Sequence, residues 1–236
     1  MHLTLRHLVI AVVVWIASQT HAQTQVQAQA DTMAKRMQAC TTCHGAQGVT
    51  SNQAYFPRIA GKPAGYLLNQ LQNFKEGRRH YGLMVGMVEH LSDAYLLEMA
   101  QYFSDLDVPY SQPAPLKTPA SAATLQLGNT LALQGDKTRQ LAACTSCHGS
   151  ALMGVLPNTP ALLGLPRDYL AAQLGAWQTG LRRAHMPDCM GRIAKVLTPS
   201  DIDAVSSWLA SQPVPAFAKP ATRLPAPVQE QCGGAK

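Results

Sequence analysis

Apolar positions recur at helical spacing along much of this chain, and no long alternating pattern of a strand appears. Leu96, Met99, Ala100 and Phe103 share one helical face, which predicts a helix over 93–106 capped by Ser92. Ile202, Val205 and Leu209 make its counterpart and predict a helix over 202–210, with Thr198, Ser200 and Asp201 as cap candidates. Further helices are expected over 33–39, 64–76, 122–133, 138–143 and 167–179, so the fold class expected is all-α. Pro109, Pro113, Pro115 and Pro119 favour an extended connector over 109–121. A second Pro-rich stretch, 213–236, reads as a tail.

The pattern repeats itself. Pro57 and Gly61 match Pro160 and Gly164; Tyr66, Leu67, Gln70 and Leu71 match Tyr169, Leu170, Gln173 and Leu174. Gly77 and Arg79 match Gly180 and Arg182, and Met84 and Leu91 match Met190 and Leu197. The offset drifts only between 103 and 106 residues, which marks an internal duplication with small loop insertions. Two units follow, 31–108 and 122–212.

Each unit carries one C-x-x-C-H motif: Cys40-Thr41-Thr42-Cys43-His44 and Cys144-Thr145-Ser146-Cys147-His148. Two thiols at this spacing can each add to a vinyl group of one porphyrin, and the adjacent His then binds iron from below. The chemistry expected is two covalently bound haem c groups, held by Cys40, Cys43, Cys144 and Cys147, with His44 and His148 as axial ligands. The opposite axial ligand is a thioether in a His/Met haem. Repeat symmetry selects Met84 and Met190 over Met87 and Met186, against the common use of Met as core filler. His80 and His185 are alternative ligands of a bis-His haem, and with His90 are otherwise read as surface histidines.

Other residues have two readings each. The Pro57 and Pro160 carbonyls are candidates to orient the ligand histidines, or mark only rigid turns. Arg79 and Arg182 suit haem propionates, or are solvated charges at helix ends. Cys189 and Cys232 remain over and form a candidate disulfide that would staple the tail to the Met190 loop. The alternative puts the Cys189 thiolate on iron.

Residues 1–22 have a weakly basic start, an apolar run over 8–17 and a small-residue end at Ala22, the pattern of a signal peptide. An uncleaved anchor is the alternative, although the run is short for a span of about 20 residues. Residues 23–30 read as a polar, disordered lead-in. Removing 1–22 takes one Arg and lowers the formal charge from +6 to +5. That excess suits docking on an acidic protein, but no dense basic run with interleaved aromatics points to nucleic acid. The expectation is an exported, periplasmic protein with no transmembrane segment in the mature chain.

With both C-x-x-C-H-G motifs, the paired P-x-x-x-G and Y-L-x-x-Q-L elements and two late methionines, the chain over about 31–212 resembles the cytochrome c4 family. The resemblance implies two tandem class I cytochrome c domains, each wrapped around one covalent haem, with ligand pairs His44 with Met84 and His148 with Met190. It also implies an electron carrier, not an enzyme, delivering electrons to a terminal oxidase or another membrane-bound or periplasmic redox protein. Two further readings stay open: a dihaem enzyme (peroxidase or thiosulfate dehydrogenase), and the cytochrome subunit of a flavoprotein dehydrogenase. The loop before Met190 and the Cys232 tail depart from the shared pattern.

Overall fold

The computed structural model describes residues 31–115, 118–216, 219–224 and 232–235. The signal-peptide and lead-in expectations fall outside the described residues. The chain divides into two compact units, residues 1–36 and 37–236. Of the first, the described part is a single helical turn, α1 (Met33–Arg36), where Arg36 pairs with Asp31 at 3.0 Å.

The second unit is helical. In order come α2 (Gln38–His44), α3 (Ala64–Lys75), α4 (Gly82–Val88), α5 (Asp93–Asp105), α6 (Ala122–Leu133), α7 (Thr145–His148), α8 (Arg167–Gln178), α9 (Cys189–Val196) and α10 (Pro199–Ser211). Among the described residues no strand forms, only isolated bridges. The fold is all-α and doubled: α3 packs on α5 and α4, as α8 packs on α10 and α9. α6 lies along α10. A Cβ on Gly128 of α6 would sit 2.2 Å from the Ala204 carbonyl oxygen, so glycine permits the close crossing.

Local chemistry explains the helix ends. Ser92 Oγ accepts from Tyr95 N at the start of α5. α10 begins at Pro199, earlier than the apolar spacing indicates. Thr198 and Asp201 form a reciprocal capping box there, and Pro199 occupies the first turn where no N–H is needed. The helix expected over 138–143 is not formed. Asp136 instead accepts from the N–H groups of Thr138 and Arg139 and holds a single 3₁₀ turn, Lys137–Arg139. Gln140 is left-handed and Leu141 pairs back to Asp136, so the chain reverses.

Two features hold the second unit together around its doubled core. The Arg58 guanidinium, buried, donates to the carbonyls of Ala60, Val108 and Pro109 and lies 3.9 Å over the Tyr110 ring, pinning the connector. Across the repeats, Arg79 bridges Arg182, with His80 N donating to Leu181 O and Arg183 N to Arg78 O, each at 2.7 Å.

Candidate haem sites

α2 carries the first motif and α7 the second, each ending on its histidine. Both imidazoles are buried. His44 Nδ1 donates to the Pro57 carbonyl at 2.8 Å, and His148 Nδ1 to the Pro160 carbonyl at 2.8 Å. A carbonyl only accepts, so the proton sits on Nδ1 and the Nε2 lone pair is left for another partner. Burial pushes both histidines below the usual imidazole range, which keeps that lone pair available. The glycine after each histidine is required by shape. Gly45 has φ +83°, and a Cβ there would lie 2.0 Å from the Val49 carbonyl oxygen.

The four motif thiols are free. Burial pushes Cys40 and Cys147 up and Cys144 up to about 11.

In the second repeat Cys144, Cys147, His148 and Met190 line one mainly apolar cavity of about 630 Å³, within the range of small-molecule and cofactor sites. Met190 sits in the first turn of α9, whose Asp188 accepts from Gly191 N and Ala184 N, both at 2.8 Å. In the first repeat Met84 lies half-buried on α4, while Met87 is 45% exposed. Met186 is 79% exposed, His80 is exposed, and His185 Nε2 accepts from Arg78 Nη2 at 2.7 Å. Cys189 is bonded to Cys232, so its sulfur is not a free thiolate.

The paired arginines are not solvated. Arg182 is 4% exposed and Arg79 half-buried. Arg79 donates to Gln70 and Gln173 at 3.1 and 2.7 Å; Arg182 donates to the same two oxygens at 2.9 and 2.7 Å. Arg182 also donates to the Tyr66 hydroxyl at 3.2 Å. Arg79 stacks over Phe74 and Arg182 over Trp177. Burial alone would raise Tyr66, but Arg182, Lys62 and Arg79 bring it down to about 8.

Comparison with known proteins gives this arrangement its family. The family described as Cytochrome c matches residues 132–213. The thiosulfate dehydrogenase electron acceptor of Thiomonas intermedia is 41% identical over 75% of this chain and 79% of that protein. The structure of reduced cytochrome c4 from Pseudomonas stutzeri superposes with a TM-score of 0.64 at 32% identity, over 75% of this chain and 95% of that one. The chain belongs to the cytochrome c4 family. Its likeness extends to the thiosulfate dehydrogenase TsdBA of Marichromatium purpuratum, with TM-score 0.65 and 32% identity over 75% of this chain, but it spans only 37% of that longer chain.

Membership in the cytochrome c4 family implies covalently bound haem c, and the residues present suit that group. The cavity joins two thiols, a neutral imidazole lone pair and a thioether. Among the described residues, the Trp177 Nε1–H is buried in its wall without a partner, and the guanidinium groups of Arg79 and Arg182 meet amide and hydroxyl oxygens but no carboxylate. Buried donors and cations of this kind call for an anion, which haem carboxylates supply. Sequence reading missed Trp177, Gln70, Gln173 and Tyr66 as site residues. The repeat alignment marked Tyr66 and the two glutamines as matched, and that was the available signal.

Proposed function

We propose that this cytochrome c4 family member carries two His/Met haems and works in the periplasm as the electron acceptor of a thiosulfate dehydrogenase, passing electrons on to a terminal oxidase or another redox protein. The single observation that carries the dihaem reading is the doubled site. Each repeat has a buried histidine held through Nδ1 by a proline carbonyl, and a methionine on a short helix of matching position. The 41% identity to a thiosulfate dehydrogenase electron acceptor supports the donor.

When bound, each haem iron supplies a one-electron ferric/ferrous couple. The chain's own residues do the rest. Cys40 and Cys43, and Cys144 and Cys147, anchor the two groups. His44 and Met84, and His148 and Met190, would hold the two irons, and with both ligands in place no position would be left for oxygen or peroxide. The Arg79, Arg182, Gln70 and Gln173 cluster ties the two sites together across the repeats. Leu83 and Met87, one turn apart on α4, expose an apolar face beside the first site, and exposed Tyr55 packs edge-on against Tyr81 at the start of that helix. The partner docks there, through a small and transient interface.

The test mixes the ferric protein with thiosulfate and a thiosulfate dehydrogenase, following the ferrous haem band. Uptake of two electrons per chain, only with the dehydrogenase present, is expected. Reduction by thiosulfate alone would instead make the chain itself the dehydrogenase, and no reduction in either mixture would remove the proposed donor.

A further inference from the structure

The second cavity contains a residue from the wrong half of the chain. Lys62 comes from the first repeat, yet it lines the cavity of Cys144, Cys147 and His148. It is only 3% exposed. Its ammonium lies 5.8 Å from the Tyr66 ring centroid, and among the described residues no carboxylate pairs with it. A buried ammonium without an anion is costly and persists where a ligand completes it. Repeat symmetry sharpens the point. Gly61-Lys62-Pro63 matches Gly164-Leu165-Pro166, so the matching position in the other repeat is a leucine, buried in the core of its own half. Only one of the two repeats therefore supplies a cation at this position.

We propose that Lys62 is a cross-repeat positioning residue for the second haem, its ammonium pairing with a haem carboxylate at the His148 site. The proposal rests on the dihaem reading above. A cation held there favours the ferrous over the ferric state, because reduction removes one positive charge from the iron. Lys62 thus raises the potential of the second site selectively and sets the direction of electron flow between two otherwise similar centres. Its ammonium lies over the Tyr66 ring, so the first repeat's fold places a charge in the second repeat's pocket.

The experiment is a spectroelectrochemical titration of the full holoprotein carrying Lys62→Gln, Lys62→Leu or Lys62→Arg, each also in a Met190→His background that moves the second site's wave apart. With Gln or Leu, the second wave should shift down by about tenfold in its equilibrium constant, 59 mV for one electron, with the first wave unmoved. Arg should restore most of the shift. Two unmoved waves, equal movement of both, or a change in the unfolding midpoint with no change in potential would overturn the role of Lys62. A pyridine haemochrome assay showing fewer than two haems per chain would overturn the dihaem reading, and this proposal with it.

Discussion

Helix α4 offers Leu83, 64% exposed, and Met87 to solvent, whereas α9, at the same place in the other repeat, begins with Cys189 bonded to Cys232. The tail then continues over the second site: Gly233 N donates to the Pro187 carbonyl and Asn69 Nδ2 of α3 donates to the Gly234 carbonyl. Farther back, Ala221 pairs with residues 154 and 156. The same pattern holds for the attachment cysteines, where Cys43 is exposed and Cys147 half-buried. Duplication produced two similar repeats, and of the described tail residues Leu224, Cys232 and Gly234 line the cavity of the second. Under the proposed function, the exposed α4 face serves to meet a partner and the covered second cavity to hold an electron at a defined potential.

The comparison breaks most sharply at the methionines. Met84→His and Met190→His should each lower the potential of its own site by about 0.2 V, a fraction of the ~0.8 V that axial ligands span. Voltammetry showing the same single wave displaced by both variants would mean that the two methionines do not serve separate sites.

Removing the staple tests the closed side. Cys189→Ala with Cys232→Ala should cost about 2–4 kcal/mol in denaturant unfolding. It should also let carbon monoxide bind the reduced second site, while the first stays closed to it. Carbon monoxide uptake equal to that of the unmodified protein would show that the tail does not hold the Met190 helix in place.

A smaller effect is expected at the α10 capping box. Burial alone would raise the Asp201 carboxyl, but Arg139, at 2.6 Å, and Thr198 hold it below the ordinary range. A carboxyl depressed in the folded state adds stability in full above its ordinary pKa of about 4, and that stability is lost as pH falls through the depressed value. Asp201→Asn should cost about 1–2 kcal/mol at neutral pH and flatten the acid limb of the stability curve below about pH 4. An unchanged acid limb would assign that limb to other carboxylates.

The smallest change concerns the open side. Leu83→Asp should slow electron uptake from the dehydrogenase by about threefold to tenfold, roughly 1 kcal/mol in the encounter, without moving either potential. A charge on the closed side, Ile193→Asp at the α9 position that matches Met87, should instead lower stability, because Ile193 packs against the second repeat's core. Equal slowing by a surface charge placed far from α4 would remove docking at this face.

Much of the fold was legible from periodicity, because α3, α5, α8 and α10 have apolar faces at helical spacing, and α5 and α10 also have recognisable caps at Ser92 and Thr198. The short helices α4 and α9 were not. Gly82 and Gly86 in α4, and Gly191 in α9, are weak helix formers, and packing on α3 and α8 stabilises those turns. The 3₁₀ turn at 137–139 escaped for the opposite reason: Asp136 offers the backbone a local alternative that outcompetes a helix. At the candidate sites, spacing brought out the motif cysteines and histidines, because residues that hold one porphyrin must lie close in sequence. It left Arg79 and Arg182 divided between solvent and haem, and the structure takes them out of solvent.

By itself, then, the sequence determined the haem-attachment chemistry, the duplication and the helical class, all of which depend on residues a few positions apart or on repetition. Tertiary structure alone decided that Gln70 and Gln173 receive both arginines, that Lys62 crosses into the other repeat's pocket, and that the tail closes one site. Those facts depend on which surfaces meet across tens to more than a hundred residues of chain, where burial of charge and loop closure, not local propensity, set the outcome.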